Sequence, residues 1–121
     1  KIKNIKLPVS APFHCPLMKK ATEIMKPEIE KVEIKMPNTK ILYNVNAKEA
    51  KNVNDLKNLL TLQIESRVRW REIINNIIDK NCNNFVEIGP GKVLSGLIKR
   101  IDKEVNVLNI DKVEDIQGIN L

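Results

Sequence analysis

The sequence is poor in aromatic residues, cysteine and histidine, and it has no long hydrophobic run. Aromatic side chains make up 3% of its 121 residues, which is too few for a surface that stacks single-stranded nucleic acid. Its two cysteines do not make a disulfide framework. No apolar segment approaches the roughly 18 residues of a membrane span. We therefore expect no nucleic-acid partner, no membrane association and a reducing compartment: the cytoplasm, or alternatively a plastid or other organellar matrix.

The composition is that of a globular protein. Apolar residues account for 42% and charged residues for 30% of the chain, and a chain of this length buries one modest core. The first residue is Lys1 rather than Met, so we expect a piece of a longer protein. The net charge is +6, but the lysines are spread along the chain, which favours solvated surfaces or an acidic protein partner over a nucleic-acid site.

Strand patterns alternate with helix patterns along the sequence. This order predicts the α/β class with a mainly parallel sheet. Pro27 is expected to kink or end the first helix, and Ser66 is expected to cap the third. The predicted strands are Ile2–Ser10, Lys40–Val45, residues 84–88 and Val105–Ile110. Four helices are predicted: the first begins at Pro16, the second spans Asn54–Ile64, the third follows Ser66, and the fourth spans Lys92–Ile101.

Apolar residues at helical spacing predict which helix faces point inward. Gln63 falls on the same stripe as Leu56 and Leu59, a position where a polar side chain needs a specific reason. The face of the helix after Ser66 holds Trp70, Ile73, Ile74, Ile77 and Ile78, and that of the last helix holds Val93, Leu94, Leu97, Ile98 and Ile101.

The glycine turn in "EIGPGKVLSG" (residues 87–96) invites comparison with phosphate-binding loops. Leu94 occupies the third glycine position of a dinucleotide fingerprint, and one residue, Pro90, separates Gly89 from Gly91, where a P-loop has four. Pro90 also lacks an N–H that could hold a phosphate. We therefore interpret the segment as a structural strand-to-helix turn.

His14 is the one histidine of the chain. It precedes a helix start, where the positive end of the helix dipole favours a neutral imidazole, as a general base requires. A structural histidine in a turn is the alternative. Neither Ser10 nor Ser95 has a nucleophile-elbow context, and Cys15 is unsuited to pair with its neighbour. A metal site formed by His14 with Cys15 and Cys82 lacks further ligands.

Three segments together resemble one enzyme family. "LPVSAPFHCPLM", "QIESRVRW" and "FVEIGPGKVLSGLIKRI" occur in the order and spacing of the C-terminal third of malonyl-CoA:acyl-carrier-protein transacylases, and "LYNVNAK" resembles a strand of that family. The resemblance implies the C-terminal part of an α/β-hydrolase-like acyltransferase large subdomain at residues 11–121. Residues 1–10 would then be the end of a small, inserted, ferredoxin-like subdomain.

The resemblance also implies a reaction for fatty-acid synthesis. A serine takes malonyl from coenzyme A and passes it to the phosphopantetheine thiol of acyl carrier protein. His14 matches the catalytic histidine, and Gln63 matches the glutamine whose main-chain carbonyl orients that histidine. Coenzyme A enters as a thioester substrate, and no permanently bound cofactor or metal is expected. The implied partners are malonyl-CoA, acyl carrier protein and the N-terminal portion of the same enzyme.

The chain departs from the family pattern in ways that bear on activity. The elbow serine, the malonate-binding arginine and the oxyanion-hole glutamine precede the matched region, so the chain alone is expected to be inactive. Arg67 stands where the family often has proline, a change expected to be minor. Two alternatives stay open: an acyltransferase domain of a polyketide or fatty-acid synthase, and a non-catalytic basic binding module.

Overall fold

A computed structural model describes residues 11–118. The chain forms two compact units, Lys1–Arg69 and Trp70–Leu121, and each is described by itself. The strand predicted at Ile2–Ser10 and the subdomain end predicted at residues 1–10 lie outside the described residues. The assignment of residues 11–121 to one subdomain therefore stays a prediction.

Two helices build the described part of the first unit. A 3₁₀ turn, Pro16–Met18, leads into α1 (Lys19–Lys31), and α1 packs against α2 (Val53–Leu62). Pro16 suits the first position of a helical turn because its missing N–H would have no partner there. The ammonium of Lys57 on α2 donates to the carbonyl of Glu30 on α1 at 2.8 Å. The buried residues are Ala47, Leu56, Leu59 and Thr61.

Helix α1 continues through Pro27, so the prediction that it could end there is wrong. A proline removes one backbone donor from the helix ladder, but the residues beyond it can still bond. The N–H of Val32 reaches the carbonyl of Glu28 at 3.3 Å. Ion pairs at helical spacing, Lys26–Glu30 at 3.9 Å and Lys31–Glu28 at 2.8 Å, add support to the last turn.

The strand predicted at Lys40–Val45 is absent, and the segment leads into a turn instead. The N–H of Tyr43 donates to the carbonyl of Lys48 at 3.0 Å, and the N–H of Ala47 donates to the carbonyl of Tyr43 at 2.9 Å. Ala47 adopts a left-handed φ of 56°. A strand needs a neighbour for its backbone groups, and the described residues of this unit contain no strand to supply one.

The second unit contains two parallel strands and two helices. Helix α3 (Trp70–Ile78) precedes strand β1 (Asn84–Ile88), helix α4 (Val93–Ile101) and strand β2 (Asn106–Ile110), and a 3₁₀ turn spans Val113–Gly118. The strands pair in parallel with Val86 opposite Leu108. The core contains Ile74, Ile98 and Val105, with Trp70, Ile78, Phe85, Ile101 and Val107 packed around them. The α/β class with parallel strands is confirmed.

Helix α3 begins at Trp70, so the prediction that Ser66 is its N-cap is wrong. The N–H of Ser66 donates to the carbonyl of Leu62 at 3.0 Å, which places Ser66 in the turn that follows α2. The N–H of Arg69 donates to the carbonyl of Asn44 at 2.9 Å. This bond to a distant segment holds the chain before Trp70 outside the helix.

The inward face predicted for α4 is only partly buried. Ile98 is buried, whereas Val93 is 71% exposed and both Leu94 and Leu97 are also exposed. Helical spacing predicts which residues share a face, but the neighbouring elements decide how much of that face is covered. In the described residues, the two strands and α3 are the elements that pack on α4, and they cover the Ile98 end.

One face of the two-stranded sheet is apolar and exposed. Phe85 and Val107 contact the core, and the alternation of a strand therefore turns Val86, Ile88 and Leu108 to the opposite side. Ile88 is 79% exposed. Among the helices of residues 11–118, none is both long and apolar enough to cross a bilayer.

Candidate functional site

His14 lies in the loop that enters the first helix of the chain. Its side chain is exposed, and its backbone adopts a left-handed φ of 56°. Histidine is among the few non-glycine residues that are enriched in this region of backbone conformation. The left-handed residue reverses the chain direction just before the 3₁₀ turn Pro16–Met18. The imidazole is therefore carried by a turn and not by a helix.

Gln63 is fixed at the C-terminal end of α2 by capping at both ends of that helix. At the start, the side chain of Asn52 accepts from the N–H of Asp55, and the carboxylate of Asp55 accepts from the N–H of Lys51, both at 2.9 Å. Asn52 thus acts as the N-cap of α2, and Asp55 fixes the residue before it. At the end, the N–H of Gln63 donates to the carbonyl of Leu59 at 3.1 Å. The carbonyl of Gln63 faces away from the ladder, as the last carbonyls of a helix do.

The structure brings His14 and Gln63 together. The Nδ1 atom of the imidazole lies 2.7 Å from the main-chain carbonyl oxygen of Gln63. A carbonyl oxygen only accepts hydrogen bonds, so Nδ1 must be the donor, and a neutral imidazole then keeps its lone pair on Nε2. Within residues 11–118, no hydrogen bond engages Nε2. The geometry therefore leaves a basic nitrogen available on an oriented ring, while the catalytic roles of both residues stay predictions.

The helix ends around His14 differ from the expectation in one respect. His14 does precede a helical turn, as the sequence predicts, but its direct hydrogen bond is to Gln63, the C-cap residue that follows α2. Carbonyl oxygens at a helix C-terminus carry partial negative charge, which stabilises positive charge on a neighbouring group. The helix end that contacts the ring is therefore a C-terminus, and not the N-terminus that the sequence suggested.

Cys15 does not interact with the imidazole of its neighbour. Its thiol donates to the carbonyl of Pro12 at 3.1 Å, which closes the loop around His14. Within the part of the chain that the structure describes, no group of three or more histidine, cysteine, aspartate or glutamate side chains could hold a metal ion.

Asn44 is a site residue that sequence reasoning missed. Its side-chain Nδ2 donates to the side-chain Oε1 of Gln63 at 3.3 Å, and both residues are half-buried. The motif "LYNVNAK" contains the residue, but the strand predicted there assigned Asn44 no contact with Gln63. One signal could have found it. Gln63 is a polar residue on an inward helix stripe, and a buried polar side chain needs a hydrogen-bonding partner on a neighbouring segment.

Glu87 organises the glycine turn in the second unit. Its carboxylate accepts from the N–H of Leu94 at 3.0 Å, from the N–H of Ser95 at 2.8 Å and from the Ser95 hydroxyl. The turn between them requires Gly89, whose φ of 141° is a conformation that side chains disfavour. Since a carboxylate of the chain itself holds the donors at the start of α4, the turn offers them to no phosphate.

The pKa of Glu87 lies below its ordinary value, chiefly because the Ser95 hydroxyl and then the two backbone donors favour the charged form. A lowered pKa in the folded state means that the stabilisation is present above the ordinary pKa of 4.5 and is lost as the pH falls through the folded-state value. We therefore expect Glu87→Gln to destabilise the protein at neutral pH by more than it does in acid.

This pH dependence is measured by urea unfolding of both proteins between neutral pH and acid. Glu104→Gln is the matched control, because Glu104 is an exposed glutamate in the same unit. A difference in free energy of unfolding between wild type and Glu87→Gln that is as large in acid as at neutral pH would contradict the assigned role of the carboxylate.

Comparison with known proteins identifies the relatives of the chain. No protein-family profile matches it. It is 39% identical over 113 residues to "Malonyl CoA-acyl carrier protein transacylase" of Bacillus subtilis, covering 93% of this chain and 36% of the relative. The structure of an acyl carrier protein S-malonyltransferase from Vibrio cholerae superposes with a TM-score of 0.87 at 32% identity, covering 94% of this chain and 37% of that one.

A third comparison concerns a complex. A malonyl-transacylase solved with its type II polyketide-synthase acyl-carrier protein matches with a TM-score of 0.84 at 33% identity, over 93% of this chain and 37% of that one. The resemblance inferred from the four motifs is thereby confirmed. In sequence and in fold, this chain is related to the malonyl CoA-acyl carrier protein transacylases, and it spans little more than a third of their length.

Proposed function

We propose that this chain is the C-terminal, histidine-bearing part of a malonyl-CoA:acyl-carrier-protein transacylase for fatty-acid synthesis. The observation that carries the proposal is the 2.7 Å contact between Nδ1 of His14 and the main-chain oxygen of Gln63. It joins the two residues that the resemblance pairs as general base and orienting group. The proposed reaction is the one that the names of the relatives state.

In the first step, Nε2 of His14 accepts the proton of the serine hydroxyl as the serine oxygen attacks the thioester carbonyl of malonyl-CoA. The carbon–sulfur bond then breaks, and the imidazolium returns the proton to the leaving thiolate. The products are a malonyl-serine ester and free coenzyme A. A positioned base of this kind contributes about 10²–10⁴-fold to the rate.

In the second step, the thiol of phosphopantetheine on the carrier protein attacks the malonyl-serine ester. Nε2 accepts the thiol proton and delivers it to the serine oxygen as the ester bond breaks. In both steps, the carbonyl of Gln63 holds the Nδ1–H bond and stabilises the positive charge on the ring. A main-chain carbonyl thus takes the role that a carboxylate has in serine–histidine–aspartate triads.

The proposal requires groups beyond these 121 residues. The nucleophilic serine, the arginine for the malonyl carboxylate and the oxyanion-hole glutamine would come from an N-terminal portion, and this chain alone would be inactive. Residues 1–10 would end the small inserted subdomain, and residues 11–121 would complete the large one. Coenzyme A would act as substrate carrier, with no resident cofactor.

The proposed macromolecular partner is acyl carrier protein, and the proposed compartment is the cytoplasm. The net charge of +6 suits an acidic protein surface, and a related transacylase has been solved in complex with a carrier protein. Nucleic acid and membrane are not proposed as partners.

The test requires the proposed serine-bearing portion, which the coding sequence upstream of Lys1 should encode and which should contain a G-H-S-x-G elbow. That portion is then assembled with this chain. We expect the assembled protein to move malonyl from coenzyme A to carrier protein and to form a malonyl-serine ester, while the chain alone does neither. A folded assembly without transfer would contradict the proposal. Tight, salt-steep binding of the chain to DNA would favour a basic binding module instead.

A further inference from the structure

We propose that Asn44 is a positioning residue that orients His14 through Gln63. The inference rests on the proposed function, because it assigns a role in the same site. It goes beyond that function because the resemblance assigns no role to Asn44 and concerns only the main chain of Gln63. The turn formed by residues 43–48, called the Asn44 turn below, is the element that carries it.

The carbonyl of Gln63 is weakly fixed by the helix that it ends. The peptide unit that carries this oxygen also carries the N–H of Ile64, which reaches the carbonyl of Thr61 at 3.3 Å. The next N–H, from Glu65, reaches the carbonyl of Leu62 at 3.3 Å as well. Both bonds join residues three apart, a 3₁₀ pattern whose hydrogen-bond geometry is poorer than that of an α-helix. The orientation of the Gln63 carbonyl therefore depends on contacts outside the helix ladder.

The Asn44 turn supplies such contacts at both ends of the segment that follows α2. At the first end, Nδ2 of Asn44 donates to Oε1 of Gln63 at 3.3 Å. At the other end, the carbonyl of Asn44 accepts from the N–H of Arg69 at 2.9 Å, and the carbonyl of Val45 accepts from Nε of Arg69 at 2.8 Å. The segment from Gln63 to Arg69 is therefore attached to one turn at its beginning and its end.

The Asn44 turn is itself well fixed. Two backbone hydrogen bonds between Tyr43 and residues 47 and 48 close it, and the side chain of Asn46 accepts from the N–H of Lys48 at 2.9 Å. Ala47 is 3% exposed and anchors the turn to the interior. Asn44 is therefore presented from a rigid support, and its amide restrains the side chain of the residue whose carbonyl orients His14.

The first test substitutes Asn44 by leucine, which has a similar size and no hydrogen bonds, in the assembled enzyme. One neutral hydrogen bond corresponds to about a two- to tenfold change, so we expect kcat/KM to fall by that factor. The fall should be in kcat, with KM for malonyl-CoA unchanged, because Asn44 acts on the base. Asn58→Leu is the matched control, since it makes the same substitution at an exposed asparagine of α2.

A double variant tests the route through Gln63. Gln63→Ala keeps the main-chain carbonyl and removes the side chain that Asn44 holds, so it should lower kcat/KM about as much as Asn44→Leu does. Adding Asn44→Leu to Gln63→Ala should then have no further effect. Equal losses for Asn44→Leu in both backgrounds would overturn the proposal, as would a loss no larger than that of Asn58→Leu.

A spectroscopic readout separates this inference from the proposed function. His14 is the one histidine of the chain, so ¹⁵N-histidine labelling of this chain, assembled with an unlabelled N-terminal portion, reports one imidazole. We expect the Nδ1–H tautomer to dominate in wild type and to lose population in Asn44→Leu. An unchanged tautomer would overturn the role of Asn44 even if transfer is normal. A changed tautomer in a protein without transfer would leave this role intact and refute the function.

Discussion

Replacing His14 with alanine is expected to lower kcat/KM for malonyl transfer by about 10²–10⁴-fold, the usual contribution of a positioned general base. The reason is geometric. The carbonyl of Gln63 fixes the proton on Nδ1, so the lone pair of the ring must lie on Nε2. Without that nitrogen, the serine hydroxyl of the proposed reaction would have no acceptor for its proton in the first step. The measurement is the steady-state rate of transfer from malonyl-CoA to carrier protein by the assembled enzyme.

Two further proteins make the His14 result specific. Cys15→Ser keeps a donor for the carbonyl of Pro12 and therefore preserves the loop, so its rate should stay close to wild type. A double variant of His14 and the elbow serine should be no slower than the serine variant alone, because residues that act as a unit are not additive. Transfer by His14→Ala at a rate near wild type would show that another group is the base.

The largest effect on stability is expected from Ile74→Ala. Ile74 is 2% exposed and forms the core of the second unit with Ile98 and Val105. Removing a buried isoleucine side chain loses its transfer free energy and leaves a cavity, which together lower the free energy of unfolding by about 2–5 kcal/mol. Whole domains are stable by about 5–15 kcal/mol, so this one change removes a large share of the total.

Urea unfolding followed by circular dichroism measures the loss. Ile74→Val should be milder, at about 0.5–1.5 kcal/mol, because it removes one methylene group. Asn75→Ala is the control from the same helix; Asn75 is exposed, and surface changes usually stay within about 0.5 kcal/mol. A loss in free energy of unfolding for Ile74→Ala no larger than that for Asn75→Ala would show that this core does not stabilise the second unit.

The sequence predicts those parts of the fold that depend on local pattern. Helical spacing located the four helices of residues 11–118, and the two parallel strands follow from short apolar runs around the glycine turn. The sequence-based prediction is wrong where hydrogen bonds to distant backbone groups determine the local structure. Lys40–Val45 has the composition of a strand, yet its backbone groups close a turn and bond to Arg69. Helix α3 begins after that bond, at Trp70, and is not capped by Ser66.

The sequence likewise predicts one part of the candidate site and misses another. His14 and Gln63 were identified because each belongs to a motif of the resembled family, and the structure places them 2.7 Å apart. Asn44 and Glu87 were not assigned roles, because their partners lie 19 and about eight residues away and no spacing rule links them. Side-chain hydrogen bonds of this kind follow from the packed structure, so a sequence pattern does not contain them.

The exposed sheet face of the second unit has a practical consequence for preparing this chain. Strands β1 and β2 present Val86, Ile88 and Leu108 on one side, and parallel sheets are normally covered on both faces. Unpaired strand edges next to apolar surface promote association between copies and precipitation. Purification of the isolated chain therefore calls for low concentration or a solubility tag, and co-expression with the proposed N-terminal portion is the better route to material for every experiment above.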